Sequence, residues 1–283
     1  MAVYNISGGK MYAVNSVGGN ELNEAYDFSG NQMLQSILKV MTYNVQHFTG
    51  INSQTEMQSK IINGNAPDII SFQEFSATRA IPTVGQAVLT EYPYVYISDH
   101  LNYLSVASKI PLEDITCADY KTQDPDEKTQ WGETRAYFKA YFRFNGKDIC
   151  FINTHLAVLD ESVRNAQFLE LVNMAMGEGY TIIAGDFNTA YSDFTSDTYT
   201  NTTKKFLDAK YEVFNSIPSV GITKTWTGIT SAASLADFTA NPDNIFTSGN
   251  IHIQQRTFDT TKLSYLDGNP IDHIAMVATL EVT

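Results

Sequence analysis

Four apolar stretches of this chain run directly into side chains that bind metal ions or move protons. Val40-Met41-Thr42-Tyr43 leads to Asn44, Ile69-Ile70-Ser71-Phe72 to Gln73-Glu74, Phe151-Ile152-Asn153-Thr154 to His155, and Ile182-Ile183-Ala184-Gly185 to Asp186-Phe187-Asn188. Asp243 and the pair Asp272-His273 flank the last apolar runs. Carboxylates beside imidazoles are the material of general acid–base catalysis and of sites for hard cations. If the strands lie in one sheet and point the same way, all these groups meet at one edge. Taken singly, each has an ordinary reading. Asn44 caps a strand, Glu74 is a solvated carboxylate, Gly185 to Asn188 is a turn built of turn formers, the histidines are structural, and Asp243 starts a strand after Pro242. Those readings need independent accidents to fall repeatedly at strand ends, which favours a joint site.

Holding such groups together takes a framework of buried strands. From Ile37 onward, short runs rich in Val, Ile and Phe alternate with segments of helical spacing, the pattern of packed α/β layers. The spacing predicts strands over Leu38–Val45, Asp68–Phe72, Leu104–Ser108, Ala136–Phe144, Asp148–Asn153, Tyr180–Gly185, Asp243–Thr247 and Ile274–Val282. It predicts a helix over Glu161–Met176, where Phe168, Leu171, Val172, Ala175 and Met176 recur on one face and Asp160 or Ser162 caps the start. A second helix is expected over Gln54–Ile62, with Met57 and Ile61 on one face and Asn63-Gly64 as its stop. Asn145-Gly146, between two strand patterns, supplies the two positive φ values of a tight hairpin.

Residues 1–36 follow another rhythm. Tyr4-Asn5-Ile6-Ser7-Gly8 recurs as Tyr26-Asp27-Phe28-Ser29-Gly30, with a looser echo from Tyr12 to Gly18, each copy closed by glycine. The expected division is a small β-appendage over 1–36, or an arm lying on the main domain, followed by a domain over 37–283. The repeat is a candidate tether to a larger assembly.

Composition narrows the function classes. At 283 residues and 43% hydrophobic content the chain buries about three quarters of its unfolded surface, so bulk disorder is excluded. Eighteen basic against thirty-one acidic residues leave a charge of −13, which disfavours a general polyanion-binding surface. Contact with nucleic acid must then be local, through residues such as Lys121, Lys128, Arg135 and Lys224, or metal-assisted. Cys117 and Cys150 are too few for a disulfide scaffold and lack the spacing of a zinc or redox motif. No apolar run approaches the length of a membrane helix and Met1 to Lys10 lacks the pattern of a signal peptide, so a soluble protein of unassigned compartment is expected.

The order Thr42-Tyr43-Asn44-Val45, Gln73-Glu74, Asn153-Thr154-His155-Leu156, Gly185-Asp186-Phe187-Asn188 and Asp272-His273 resembles the endonuclease/exonuclease/phosphatase superfamily, to which DNase I and the exonuclease III type of repair endonuclease belong. Ala107-Ser108-Lys109-Ile110-Pro111 resembles a strand end of that family. Arg135 stands where a family arginine precedes the hairpin, and Arg164-Asn165-Ala166-Gln167 is similar to the helix before the Gly-Asp-Phe-Asn strand. The resemblance implies an α/β fold, a four-layer αββα sandwich with two mainly antiparallel sheets. It also implies a divalent-metal-dependent phosphoester hydrolase, foremost a phosphodiesterase or endonuclease of DNase I type acting on DNA or RNA.

A phosphodiester is a poor electrophile, so its hydrolysis needs a cation on the non-bridging oxygens, a water in line and help for the leaving alkoxide. With that chemistry, the resemblance implies Asn44, Glu74 and Asp272 as metal ligands, Glu74 foremost. Hard oxygen donors without cysteine favour Mg²⁺ or Mn²⁺ over zinc. Asp186, supported by Asn188, would orient and deprotonate the water. His155 and His273 would bind phosphate or shuttle protons, Asp243 would fix the His273 tautomer, and Arg135 would bind substrate. Two departures stand out. Ile271 replaces the serine that usually precedes the Asp-His pair, and nothing between Tyr92 and Tyr103 matches the glutamate that partners the first histidine in some DNase I-like members. Trp131 and Trp226 fall in expected rim loops, as loop anchors or as stacking platforms. The competing readings are a phosphomonoesterase of sugar, lipid or nucleotide phosphates, and a binding or structural module that keeps the fold without turnover.

Overall fold

Strands buried on both faces read as unbroken apolar runs, and two such runs joined by a helix must pair in parallel. The chain does this twice. The structure, a computed structural model, describes residues 3–7, 10–14, 25–26, 32–33, 37–46, 54–75, 90–97, 103–188, 212–213, 242–265 and 272–283. Four short strands come first: β1 (Val3–Ser7), β2 (Lys10–Val14), β3 (Ala25–Tyr26) and β4 (Gln32–Met33) form an antiparallel sheet of their own. Then follow β5 (Ile37–Asn44), α1 (Gln54–Asn65), β6 (Ile69–Gln73), β7 (Tyr94–Ile97), β8 (Ser105–Ser108) and β9 (Glu113–Asp119). The middle of the chain supplies α2 (Pro125–Trp131), β10 (Ala136–Phe144), β11 (Lys147–His155), α3 (Glu161–Ala175) and β12 (Thr181–Asp186). The last described elements are β13 (Glu212–Val213), β14 (Asp243–Ser248), β15 (Ile251–Asp259), a 3₁₀ turn over Thr261–Tyr265 and β16 (Ala275–Val282).

Two six-stranded sheets result, ordered β15-β16-β5-β6-β8-β7 and β13-β14-β12-β11-β10-β9. Within each, every neighbouring pair is antiparallel except one, β5 with β6 and β11 with β12. Helices α1 and α3 make those two parallel crossovers. Side-chain alternation along the strands then sorts three cores. Leu38, Val40, Ile69, Phe138, Phe151 and Ile182 meet between the sheets. Met41, Tyr43, Ile70 and Phe72 face outward onto Met57, Ile61 and Ile62 of α1, and Cys150, Ile152 and Ile183 face outward onto Phe168, Leu171 and Val172 of α3. Helix, sheet, sheet and helix are thus stacked as the expected αββα sandwich. Each fully buried Leu, Ile or Phe contributes ~1.5–3 kcal/mol.

One end of the inter-sheet core is polar. Gln73 Nε2 donates to Asn153 Oδ1 at 2.8 Å, Asn153 Nδ2 donates to the carbonyls of Phe72 and Ser105 at 2.9 and 3.0 Å, and Ser71 Oγ donates to the Ala184 carbonyl at 3.2 Å. A buried network whose members satisfy one another fixes geometry more narrowly than apolar packing does. It stitches the ends of β6, β11 and β12 together beneath the groups described below.

Several local expectations are corrected. Helix α1 runs through Asn63-Gly64 to Asn65, whose side chain donates to the Ile61 carbonyl at 2.7 Å, and it ends where Ala66 takes φ +47° ahead of Pro67. A single glycine costs a helix only ~1 kcal/mol, whereas proline cannot continue one. Asp160, rather than Ser162, caps α3 through the amides of Ser162 and Val163. Trp131 is not in a loop. It closes α2, a short helix that Asp124 caps at one end and left-handed Gly132 at the other. Asn145 and Gly146 do take positive φ, and β10 and β11 pair in full register around them. Among the described residues no helix is long and apolar enough to cross a membrane.

Candidate active site

The strand ends converge, but not within one sheet. β5 and β6 deliver Asn44 and Glu74 from one sheet, while β11 and β12 deliver His155 and Asp186 from the other, where His155 pairs with Asp186 and Asp186 with Asp243. The edge of each parallel pair meets that of its counterpart across the sandwich. Asn44 closes the gap, its Nδ2 donating to Glu74 Oε1 and to Asp186 Oδ2, both at 3.0 Å. Gln46, Glu74 and Asn188 sit at φ +48°, +56° and +48°, so three of the four strand exits turn through a conformation that non-glycine residues adopt at a cost.

Asp186 is the centre of the group. Its Oδ1 accepts from the Asn188 amide at 2.8 Å. Its Oδ2 accepts from Asn44 and lies 3.6 Å from Nε2 of both His155 and His273. Burial alone would raise the Asp186 pKa, but the two imidazoles and the bonds from Asn44 and Asn188 outweigh it and hold the carboxylate ionised below its usual range. Asn188 also donates through Nδ2 to the Leu156 carbonyl at 2.7 Å, tying the turn after β12 to the end of β11.

The two histidines differ in charge. His273 Nδ1 lies 2.8 Å from Asp243 Oδ2, which accepts the ring proton. Burial opposes its charge, yet Asp243, Asp272 and Asp186 drive the pKa up to about 10. His155 meets a cation instead. Arg135 Nη1 lies 3.0 Å from its Nδ1 and 3.2 Å from its Nε2, and burial together with that guanidinium pushes the pKa down to about 3. Neutral His155 has one nitrogen to accept from Arg135, which suits Nδ1 and leaves Nε2–H facing Asp186. Where the sequence offers no glutamate partner, the structure puts Arg135.

The donor set fits a hard cation. Asp272 Oδ1 is buried without a hydrogen-bond partner among the described residues, leaving its lone pairs available at the cleft that Glu74 and Asp272 line. A second candidate group is tighter: Asp186, Asp243 and His273 offer ligand atoms within 4.8 Å of one another. Its His273 Nδ1 and Asp243 Oδ2 serve each other, as Asn44 Nδ2 and Glu74 Oε1 do in the first group, and both groups carry carboxylate oxygens of the hard type that divalent ions take.

The cleft, about 280 Å³, is lined by Glu74, Trp131, Glu133, Arg135, His155, Val158, Asp186, Asn188, Asp272 and His273. Sequence reasoning missed three residues around it, Lys262 and Glu127 buried and Glu133 partly so. Lys262, in the 3₁₀ turn, is buried 5.9 Å from the Tyr43 ring; burial lowers its pKa against the pull of Asp272, Glu74 and Asp243. No local pattern marks it. Glu127 of α2 accepts from Arg135 Nε at 2.5 Å, and Glu133 lies 3.6 Å from Arg135 Nη1. Asp124-Pro125 followed by Gly132 is a readable helix start and stop, and would have found α2. Lys121 and Lys128 are exposed and do not line the cleft, while Trp226 and Lys224 lie outside the described residues.

The layer order and the end of the sandwich at which these groups gather define the DNase I-like class of α/β fold. The chain belongs to the endonuclease/exonuclease/phosphatase family, whose profile matches residues 41–261. The match stops short of Asp272 and His273, which β16 brings back to the site by pairing with β5. Members of the family are in general phosphoester hydrolases. Among solved structures, an endonuclease/exonuclease/phosphatase from Beutenbergia cavernae superposes with a TM-score of 0.65 at 15% identity, covering 88% of this chain and 72% of its own. Truncated TDP2 from Caenorhabditis elegans gives 0.63 at 19%, covering 87% and 98%. A protein of the same family description from Bacteroides vulgatus gives 0.61 at 17%, covering 88% and 100%. At these identities the likeness is one of fold. No curated protein gives a significant sequence match.

Proposed function

We propose that the protein is a phosphodiesterase of DNase I type that works with Mg²⁺ or Mn²⁺. The observation that carries the reading is the convergence on Asp186. One ionised carboxylate is addressed by Asn44 from the opposite sheet, by Asn188, and by one neutral and one protonated imidazole. Asn44, Glu74 and Asp272 would hold the cation, which when bound supplies Lewis-acid charge on the phosphoryl oxygens. Held below its usual pKa, Asp186 is better suited to orient the attacking water than to keep its proton. Protonated His273, steadied by Asp243, places positive charge at the phosphate and a proton within reach of the leaving alkoxide. Neutral His155 retains one N–H for an oxygen on the other flank. Arg135 takes substrate oxygen as a fixed cation. Residues 1–36 and 37–283 are read as separate units, the first as a tether.

The test is a panel of plasmid DNA, RNA, bis-p-nitrophenyl phosphate and p-nitrophenyl phosphate with Mg²⁺ or Mn²⁺. Diester hydrolysis is expected, abolished by EDTA and restored by either ion. Full activity after exhaustive chelation removes the metal from the reading, and turnover of the monoester alone transfers the protein to the phosphatases.

A further inference from the structure

Arg135 is held through both its backbone and its side chain. Its backbone amide donates to Gln123 Oε1 at 2.8 Å, and its carbonyl accepts from Gln123 Nε2 at 2.7 Å and from the Tyr120 amide at 3.0 Å. Its Nε donates to Glu127 Oε2, and its Nη1 lies against His155 with Glu133 beyond. Nη2 makes no hydrogen bond to a described residue, on a side chain only 5% exposed that lines the cleft. The other Glu127 oxygen, Oε1, accepts from the amides of Val158, in a short contact, and Leu159 at 2.9 Å. Glu127 is itself 1% exposed, and Trp131, 47% exposed on the cleft, stands one helical turn further along the same face of α2.

We propose that Glu127 is a positioning residue. Its carboxylate fixes the Arg135 guanidinium so that Nη2 meets a phosphate oxygen, and it pins the Val158–Leu159 turn that forms the adjoining lip of the cleft. The inference rests on the phosphoesterase reading only in taking phosphate as the ligand. The physical reason is preorganisation. A free arginine must lose rotamer freedom to bind, and holding it in place beforehand removes a cost worth about ten-fold in affinity. A contact made equally to bound substrate and to the transition state acts on KM more than on kcat.

The test uses the full chain with Mg²⁺ and two readouts, calorimetric binding of inorganic phosphate and hydrolysis of bis-p-nitrophenyl phosphate. Glu127→Gln keeps an acceptor for the two amides but loses the charge. It is expected to weaken phosphate binding by roughly ten-fold and to raise KM more than it lowers kcat. Arg135→Ala is expected to recover binding with tens-of-millimolar guanidinium, and Glu127→Gln/Arg135→Ala is not. Should Glu127→Gln fail to fold, Arg135→Lys decides, because lysine cannot reach Glu127 and phosphate together; wild-type affinity in that variant overturns the proposal. So does unchanged affinity in Glu127→Gln, equal guanidinium recovery with and without Glu127, or a wild type that binds no phosphate. A wild type that binds phosphate through Arg135 held by Glu127 but hydrolyses no diester removes the phosphodiesterase reading and leaves the positioning role standing.

Discussion

His155 and His273 face the same carboxylate oxygen from the same distance, 3.6 Å, and both are buried, yet one is neutral and the other charged. Burial acts against charge on both, so it cannot be what separates them. The sign of the next neighbour does. Arg135 stands behind His155, and Asp243 stands behind His273. The two imidazoles arrive from different elements, His155 at the end of β11 and His273 ahead of β16, and the residues just behind them give each flank its own proton state. Pairs of titratable groups pushed apart in this way are what divides labour between proton donor and acceptor.

The largest test of that contrast is on the charged flank. His273→Ala and Asp243→Asn should each lower kcat on bis-p-nitrophenyl phosphate by about 10²- to 10⁴-fold, and the double variant should be little worse than the worse single, since the two act as one unit. Wild-type turnover in Asp243→Asn would reduce Asp243 to a strand-initiating residue. On the neutral flank the loss should be smaller, roughly a hundred-fold for His155→Ala, the low end for a positioned proton-transfer group. By NMR in the metal-free protein, the His155 ring should remain neutral well below pH 6.5, with Arg135→Ala restoring a titration nearer the ordinary value. A protonated His155 at neutral pH would collapse the contrast.

A third test bears on the shared frame. Gly185 precedes Asp186 on β12, and a Cβ there would run into the Thr154 carbonyl oxygen of β11. Gly185→Ala should therefore cost about 1–3 kcal/mol, as overpacking does, and should part His155 from Asp186 and impair both flanks together. Unchanged stability in urea would show that the two strands can spread freely. The last test is of pH-dependent stability. His155 has a depressed folded pKa, so its contribution is present above pH 6.5 and is lost as pH falls toward about 3. The folded pKa of His273 is raised, so its contribution is present below pH 6.5 and is lost as pH rises toward about 10. Metal-free stability should peak near pH 6.5 and fall on either side with a slope of at most ~1.4 kcal/mol per pH unit from each group. The groups facing His155 are Arg135, Asp186, Glu133 and His273; those facing His273 are Asp243, Asp272 and Asp186. Asp243→Asn should flatten the alkaline limb only.

Much of the sandwich was legible because its central strands are buried on both faces and cannot hide their apolar runs. Strand β7, Tyr-Val-Tyr-Ile, was legible in kind and overlooked, whereas two other edge strands carry no such pattern. β9 is Glu-Asp-Ile-Thr-Cys-Ala-Asp and largely exposed, and β15 carries His252, Gln254 and Gln255 on its open side. Neither needs an apolar pattern, because its pairing is imposed by β10 or β16. For the site, Asn44, Glu74, His155 and Asp186 stood out as polar residues ending apolar runs and His273 as one flanking the last of them, and the structure brings them together. Lys262 and Glu127 did not, since each is buried by contacts far away in sequence, Lys262 against Tyr43 and Glu127 against Arg135 and Val158. Their surroundings, rather than their neighbours in the chain, make them part of the site.

The position of β16 has a consequence for how the protein is born. It lies inside its sheet, between β15 and β5, and carries His273 at its approach. While a ribosome is still making residues 275–282, β5 lacks its partner, the sheet is split, and the protonated flank has not been delivered. Closing a contact across more than two hundred residues is slow compared with forming the hairpin of β10 and β11. A nascent chain therefore displays Asn44, Glu74, His155 and Asp186 without the group that completes them. The site as proposed is complete only once residues 275–282 have been made and have paired with β5.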